Sequence, residues 1–164
     1  MKHKTGQRKV ALVTGASAGI GKAIVRRLLH DGWTVYGAAR RTDRMADIQA
    51  EGALLLALDV TDDASMSVGV AAVLQAQGIS ALALFGELEQ RERDQVLVRF
   101  SNRSCSVLVA TDVAARGLDI ASLEAVINVD VTPDPEVHVH RIGRTGRAGE
   151  SGLALNLVSM DEMG

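Results

Sequence analysis

Two short constellations in this chain have residue types and spacings suited to phosphate chemistry. The first is Thr14-Gly15-Ala16-Ser17-Ala18-Gly19-Ile20-Gly21, where three glycines recur as G-x-x-x-G-x-G. Set between a strand and a helix, such a turn offers free N–H groups and the positive end of a helix dipole to a pyrophosphate. Gly15 permits the tight turn, Gly19 lets the backbone approach a ligand, and Gly21 allows the helix to pack closely on the strand. The second is His140-Arg141-Ile142-Gly143-Arg144-Thr145-Gly146-Arg147. It places three arginines and a histidine within eight residues. Its plainer interpretation is a basic surface loop.

The elements that must position these residues are short aliphatic strands alternating with helical stretches. Strands are expected over Val10–Thr14, Thr34–Ala39, Ala53–Leu58, Ser80–Phe85, Val107–Ala110, Ala125–Val129 and Leu153–Val158. Helices are expected over Gly19–His30, Arg44–Ala50, Ala64–Gln77, Glu89–Ser101 and Pro135–Ile142, with a short segment near Val113–Arg116. Pro133 and Pro135 fix the approach of the chain to the last of these helices. Regular β-α alternation predicts an α/β fold with a doubly wound, Rossmann-like parallel sheet. A core poor in aromatics, 2% against 47% apolar residues, suits aliphatic strands covered by helices on both faces.

The glycine turn, in this strand–turn–helix setting, resembles that of the short-chain dehydrogenase/reductase family, and the resemblance runs from about Lys9 to Gly78. What it implies is a dinucleotide site formed by Gly15, Ser17, Gly19, Ile20 and Gly21. Arg40 and Arg41 follow the second strand where relatives preferring NAD carry an acidic residue, so the resemblance implies NADP(H). Ser17 could touch the same 2′-phosphate, and Asp59-Val60 resembles the pair that flanks the adenine. The family's Asn-Asn-Ala-Gly segment and its Tyr-x-x-x-Lys are missing; Tyr36 is the single tyrosine. Without that phenol and lysine, hydride transfer to a carbonyl has no proton donor.

From about Ile79 the chain resembles a different family. Gly86, Gln90, Arg93 and Phe100 reproduce a G-x-x-x-Q-x-x-R…F segment of DEAD-box RNA helicases. Val107–Ile120 is close to that family's motif V, and His140–Arg147 matches its motif VI. The resemblance implies the second RecA-like domain of a bacterial member. In that setting Arg144 and Arg147 would face the γ-phosphate of ATP held by the first RecA-like domain. His140 would couple that site to neighbouring motifs, and Asp119 would contact the ribose. Gln90, Arg93, Thr111 and Gly117 resemble positions that hold RNA phosphates and sugars, contacts with little sequence specificity, and Asp112 belongs to the same motif V. No G-x-x-x-x-G-K-[ST] loop and no D-E-A-D box accompany them, and Lys22 lacks the phosphate-loop spacing. His138 and His140 form H-x-H without suitably spaced further ligands, so no metal is expected.

Composition limits the remaining choices. At 164 residues the chain is the size of one domain, with 18 basic and 20 acidic side chains and a formal charge of -2. An RNA-binding surface would therefore have to concentrate its basic residues on one face. Cys105 can form no intramolecular disulfide and reads as a small buried hydrophobe in a reducing, cytoplasmic chain. No apolar run approaches about 18 residues, so no membrane partner is expected.

Together these readings predict one domain over 1–164, with a dehydrogenase-like segment 1–78 and a helicase-like segment 79–164. A single sheet ordered 3-2-1-4-5-6-7 is expected, numbering strands along the chain; the alternative inserts Val10–Thr14 between the fifth and sixth strands. The function expected is that of a recombined chimera, not an enzyme, with no complete active site and no required cofactor. One alternative is a residual NADP(H)-binding module. The other is a residual helicase-like domain that binds RNA weakly.

Overall fold

A computed structural model describes residues 9–115, 120, 123–130, 132–146 and 151–157. The chain divides into two compact units, Met1–Arg116 and Gly117–Gly164. In the first, β1 (Val10–Thr14), α1 (Gly19–His30), β2 (Thr34–Ala39), α2 (Ala46–Ala50) and β3 (Leu54–Ala57) follow in order, with a 3-10 turn over Thr42–Met45 before α2. Next come α3 (Asp63–Ala76), β4 (Ala81–Leu84), α4 (Gln90–Ser101), β5 (Val107–Ala110) and the single turn α5 (Asp112–Ala115). The second unit holds β6 (Ala125–Asn128), α6 (Pro135–Ile142) and β7 (Leu153–Asn156).

All strand pairs are parallel, and the architecture is the expected α/β class. β2 is central in a three-stranded sheet β1-β2-β3, and it is buried from Val35 to Ala39. Its small residues let α1 and α2 approach: Gly37 lies where a Cβ would come 3.3 Å from both Ala16 and Ile48. Around it Val25, Val35, Met45 and Ile48 form an aliphatic and methionine core cluster, with Trp33 packing at its margin. Two local signals set helix starts. Asp62 accepts from the Ser65 N–H to cap α3, and Glu89 and Glu92 close a reciprocal capping box on α4.

The expected single sheet is corrected at its centre. β1 and β4 are not hydrogen-bonded neighbours: β4 pairs with β5 in one ladder and β6 with β7 in another. Between β3 and β4 lies α3, which buries its small residues Ser67, Gly69 and Ala71 while Met66, Val68 and Val70 stay exposed. Its Gly69 sits against Leu56 and Leu58, and the helix also packs on β4 and β5. Gln77 adds a 2.8 Å hydrogen bond to the Tyr36 hydroxyl of β2. A packed helix thus links the two ladders of this unit where a shared ladder was expected. The alternative position for Val10–Thr14 is not adopted either, because β1 pairs with β2.

An ion-pair cluster fastens α1 to α2. Lys22 donates to Asp47 at 2.9 Å, and Arg26 bonds both Asp47 and Glu51. The hydrogen bond from Lys22, followed by the main-chain N–H of Ile48 and the nearby charges of Lys22 and Arg26, holds the Asp47 carboxyl below its ordinary range against the opposing effect of desolvation. A carboxyl depressed by folding stabilises the fold above its unfolded pKa, and that contribution is lost as pH falls through the folded value. Stability is therefore expected to decline below about pH 4. Thermal melts of Asp47→Asn should show a shallower decline there than the unaltered chain. Equal slopes would remove this cluster as the cause.

Candidate functional site

The glycine turn after β1 is built by backbone geometry. Gly15 and Gly19 have φ of +67° and +55°, in the left-handed region where Cβ is penalised. Between them Ala16 is fully buried and its N–H donates to the Ala38 carbonyl at 3.1 Å, anchoring the turn to β2. At Gly21 a Cβ would stand 2.5 Å from the Gly15 carbonyl oxygen, so the first turn of α1 lies directly on the strand end. Ser17 is half-buried, Ile20 is 81% exposed, and Arg40, Arg41 and Val60 also face solvent. Asp59 accepts from the Thr61 N–H and hydroxyl at 3.0 and 2.8 Å, with Arg40 3.9 Å away. Those two bonds, the main-chain one foremost, lower its pKa. Asp59 and the exposed Arg40 thus stand within ion-pair distance of each other.

A second cluster forms at the carboxyl ends of β4 and β5, also in the first unit. The Thr111 N–H donates to the Leu84 carbonyl at 3.2 Å, holding the two strand ends together, and the Ala115 N–H donates to Thr111 O at 2.8 Å to close α5. Thr111 is half-buried and Asp112 exposed. Gln90 faces solvent at the start of α4 and donates within its own helix to Asp94 at 2.7 Å. Arg93 lies one turn further on. Its Nη1 donates to the Ala114 carbonyl at 2.9 Å and its Nη2 to the Phe85 carbonyl at 3.5 Å.

The arginine-bearing turn belongs to the second unit. Pro135 at the first turn and Asp134, which accepts from the Glu136 N–H, start α6. The helix ends as the Gly143 N–H donates to the Val139 carbonyl at 2.8 Å. His140 is exposed and Arg144 half-buried. The Leu123 N–H donates to the Arg144 carbonyl at 3.0 Å, and the Thr145 hydroxyl donates to the Leu123 carbonyl. Arg141 reaches back to Asp130, its Nη1 donating to the main-chain carbonyl at 2.9 Å. Gly117, Asp119 and Arg147 lie outside the described residues.

Sequence reasoning passed over Thr145 and Gly152, which fix this turn. A Cβ at Gly152 would stand 2.3 Å from the Gly146 nitrogen and 2.2 Å from the Thr145 hydroxyl oxygen, so the chain leading into β7 rests on the turn itself. The only signal in the sequence was a glycine just before an aliphatic run. Among the described residues no group of three His, Cys, Asp or Glu side chains could hold a metal, and no helix is long and apolar enough to cross a membrane.

Residues 40–149 match the family described as the helicase conserved C-terminal domain. The chain is 68% identical over 85 residues, 52% of its length, to the ATP-dependent RNA helicase DbpA of Escherichia coli (strain K12), covering 19% of that protein. It is 43% identical over 132 residues, 80% of its length, to the ATP-dependent RNA helicase DDX42 of Mus musculus, covering 14% of it. A DEAD box protein from Methanococcus jannaschii superposes with a TM-score of 0.53 at 27% identity, over 95% of this chain and 36% of that one. The chain thus spans a fifth or less of the length of these two curated relatives.

These matches correct two expectations. A recombined chimera joined near residue 78 should match its families on either side of the junction, yet residues 40–149 follow one family's pattern across it. A 132-residue match in a chain of 164 must cross it as well. The expectation that the chain is not an enzyme is overturned too: these two relatives are named as ATP-dependent RNA helicases. With 110 of its 164 residues (40 through 149) inside one pattern, the chain belongs to the helicase conserved C-terminal domain family.

Proposed function

We propose that this chain is the C-terminal RecA-like part of an ATP-dependent RNA helicase, binding the RNA backbone and contributing an arginine to a nucleotide held elsewhere. The observation that carries the reading is the cluster at the ends of β4 and β5. Thr111 and Asp112 lie there on one strand end tied to the other, beside the α4 residue Arg93. The half-buried Thr111 hydroxyl at that strand end suits a phosphate or sugar contact, which positions RNA without reading its sequence. Arg144, on a turn pinned by Leu123, suits charge stabilisation of a transferring phosphoryl group. Arg147 and Asp119 take their roles in this reading from the family resemblance alone.

Adding a single-stranded oligoribonucleotide to the isotopically labelled chain should shift the amide resonances of Gly86, Gln90, Thr111 and Asp112. Those of Ala46 and Leu54, on α2 and β3, should stay in place. Shifts spread evenly over the molecule, or none at all, would count against the assignment.

A second reading, NADP(H) binding, is favoured by the glycine turn itself. Gly15 and Gly19 hold left-handed backbone, Gly21 has no room for a side chain, and exposed Arg40 and Arg41 follow β2. NADPH should then raise the melting temperature while NADH does not. A melt unchanged by NADPH would remove this reading and leave the first intact.

A further inference from the structure

We propose that Arg93 is a positioning residue for RNA binding: its guanidinium holds α5 and Thr111 in place and does not itself carry a phosphate. The inference rests on the RNA-binding reading above. Ala114 is fully buried in the single turn α5, and its carbonyl accepts from the Arg93 Nη1 at 2.9 Å. The other prong of Arg93 turns toward the carbonyl of Phe85, the residue after β4. One planar cation therefore joins α4, the residue after β4 and α5. Thr111, whose N–H bonds Leu84 of β4, accepts from the N–H of Ala115 of α5. Gln90, the other α4 residue of the same sequence segment, makes no such bridge; its amide bonds Asp94 within the helix. A lysine at position 93 would keep the charge but lack the fork needed to serve two carbonyls at once.

The role predicts how charge and geometry separate. A residue that neutralises a phosphate changes the salt dependence of binding when removed, by a slope of roughly 0.7 for a single strand. A positioning residue weakens affinity and leaves that slope alone. The experiment is an anisotropy titration of a labelled single-stranded RNA over a range of salt, with the unaltered chain, Arg93→Lys and Arg93→Ala. Both variants are expected to raise the dissociation constant about 3- to 30-fold with an unchanged slope. A lysine variant that binds like the unaltered chain overturns the proposal, as does an alanine variant with a reduced slope or with unchanged affinity.

Amide hydrogen exchange on the same proteins supplies a readout that needs no RNA. Arg93→Lys should speed exchange at Ala115, whose N–H closes α5, while the interior of β2 keeps its protection. Unchanged exchange at Ala115 overturns the proposal. If the unaltered chain binds no RNA, the RNA-binding reading fails, and the exchange result still decides whether Arg93 holds α5.

Discussion

Replacing Arg144 by alanine is expected to lower RNA-dependent ATP hydrolysis about a thousandfold, the low end of what an arginine facing a transferring phosphoryl group contributes. The measurement uses a hybrid in which this chain takes the place of the matching segment in the Escherichia coli relative, 68% identical over 85 residues. RNA affinity should change little, because the loss falls on the charge of the transition state. The size of the effect follows from how firmly the turn is held. The Leu123 N–H fixes the Arg144 carbonyl, the Thr145 hydroxyl fixes the Leu123 carbonyl, and Gly152 backs the turn at van der Waals distance or closer. An arginine on a pinned turn can be aimed without reorganisation when charge develops. Arg144→Lys should recover only a small part of the rate, since a point charge does not reproduce the fork. Hydrolysis within tenfold of the unaltered hybrid would remove Arg144 from the phosphoryl site.

Gly21→Ala is expected to destabilise the first unit by about 3 kcal/mol, at the upper end of ordinary overpacking. The new Cβ would meet three main-chain atoms, the Gly15 oxygen at 2.5 Å, the Gly15 carbon at 2.7 Å and the Thr14 oxygen at 2.9 Å. None of these can move as a flexible side chain would. Gly15→Ala presents a different problem. It has open space within 4 Å but a φ of +67°. Its cost is the left-handed penalty alone, about 1–2 kcal/mol. Urea unfolding of the two variants should rank Gly21→Ala as the more damaging. The reverse order would mean that α1 does not lie on the end of β1 as described.

Much of the fold was legible because the strands are aliphatic runs bounded by glycines and acidic caps. Val10–Thr14 and Thr34–Ala39 form strands over the full predicted lengths, and Pro135–Ile142 a helix. The helix expected over Arg44–Ala50 begins instead as a 3-10 turn, since Met45 and Ile48 must both reach the core within one short crossing. The missing ladder between β1 and β4 was not legible. An apolar helix reads the same whether it covers one sheet or touches two; its packing of Gly69 on Leu56 and Leu58 together with its contacts to β4 and β5 distinguishes them.

The candidate site was legible as residue types, and less so as roles. Arg93 shows why: a sequence gives its charge, but not the two carbonyls that its guanidinium meets. The absence of a phosphate loop led to a wrong inference about function for a related reason. An arginine can act on a nucleotide bound by another segment, so an incomplete constellation in one chain does not mean an inactive one.

Whether this chain holds RNA through its phosphates is tested by the affinity of the unaltered chain for unrelated single-stranded RNAs at salt concentrations between about 50 and 200 mM. Similar affinities for different sequences, all weakening as salt rises, are expected. Affinity that is flat with salt, or no binding at the lowest salt, would contradict phosphate-held RNA.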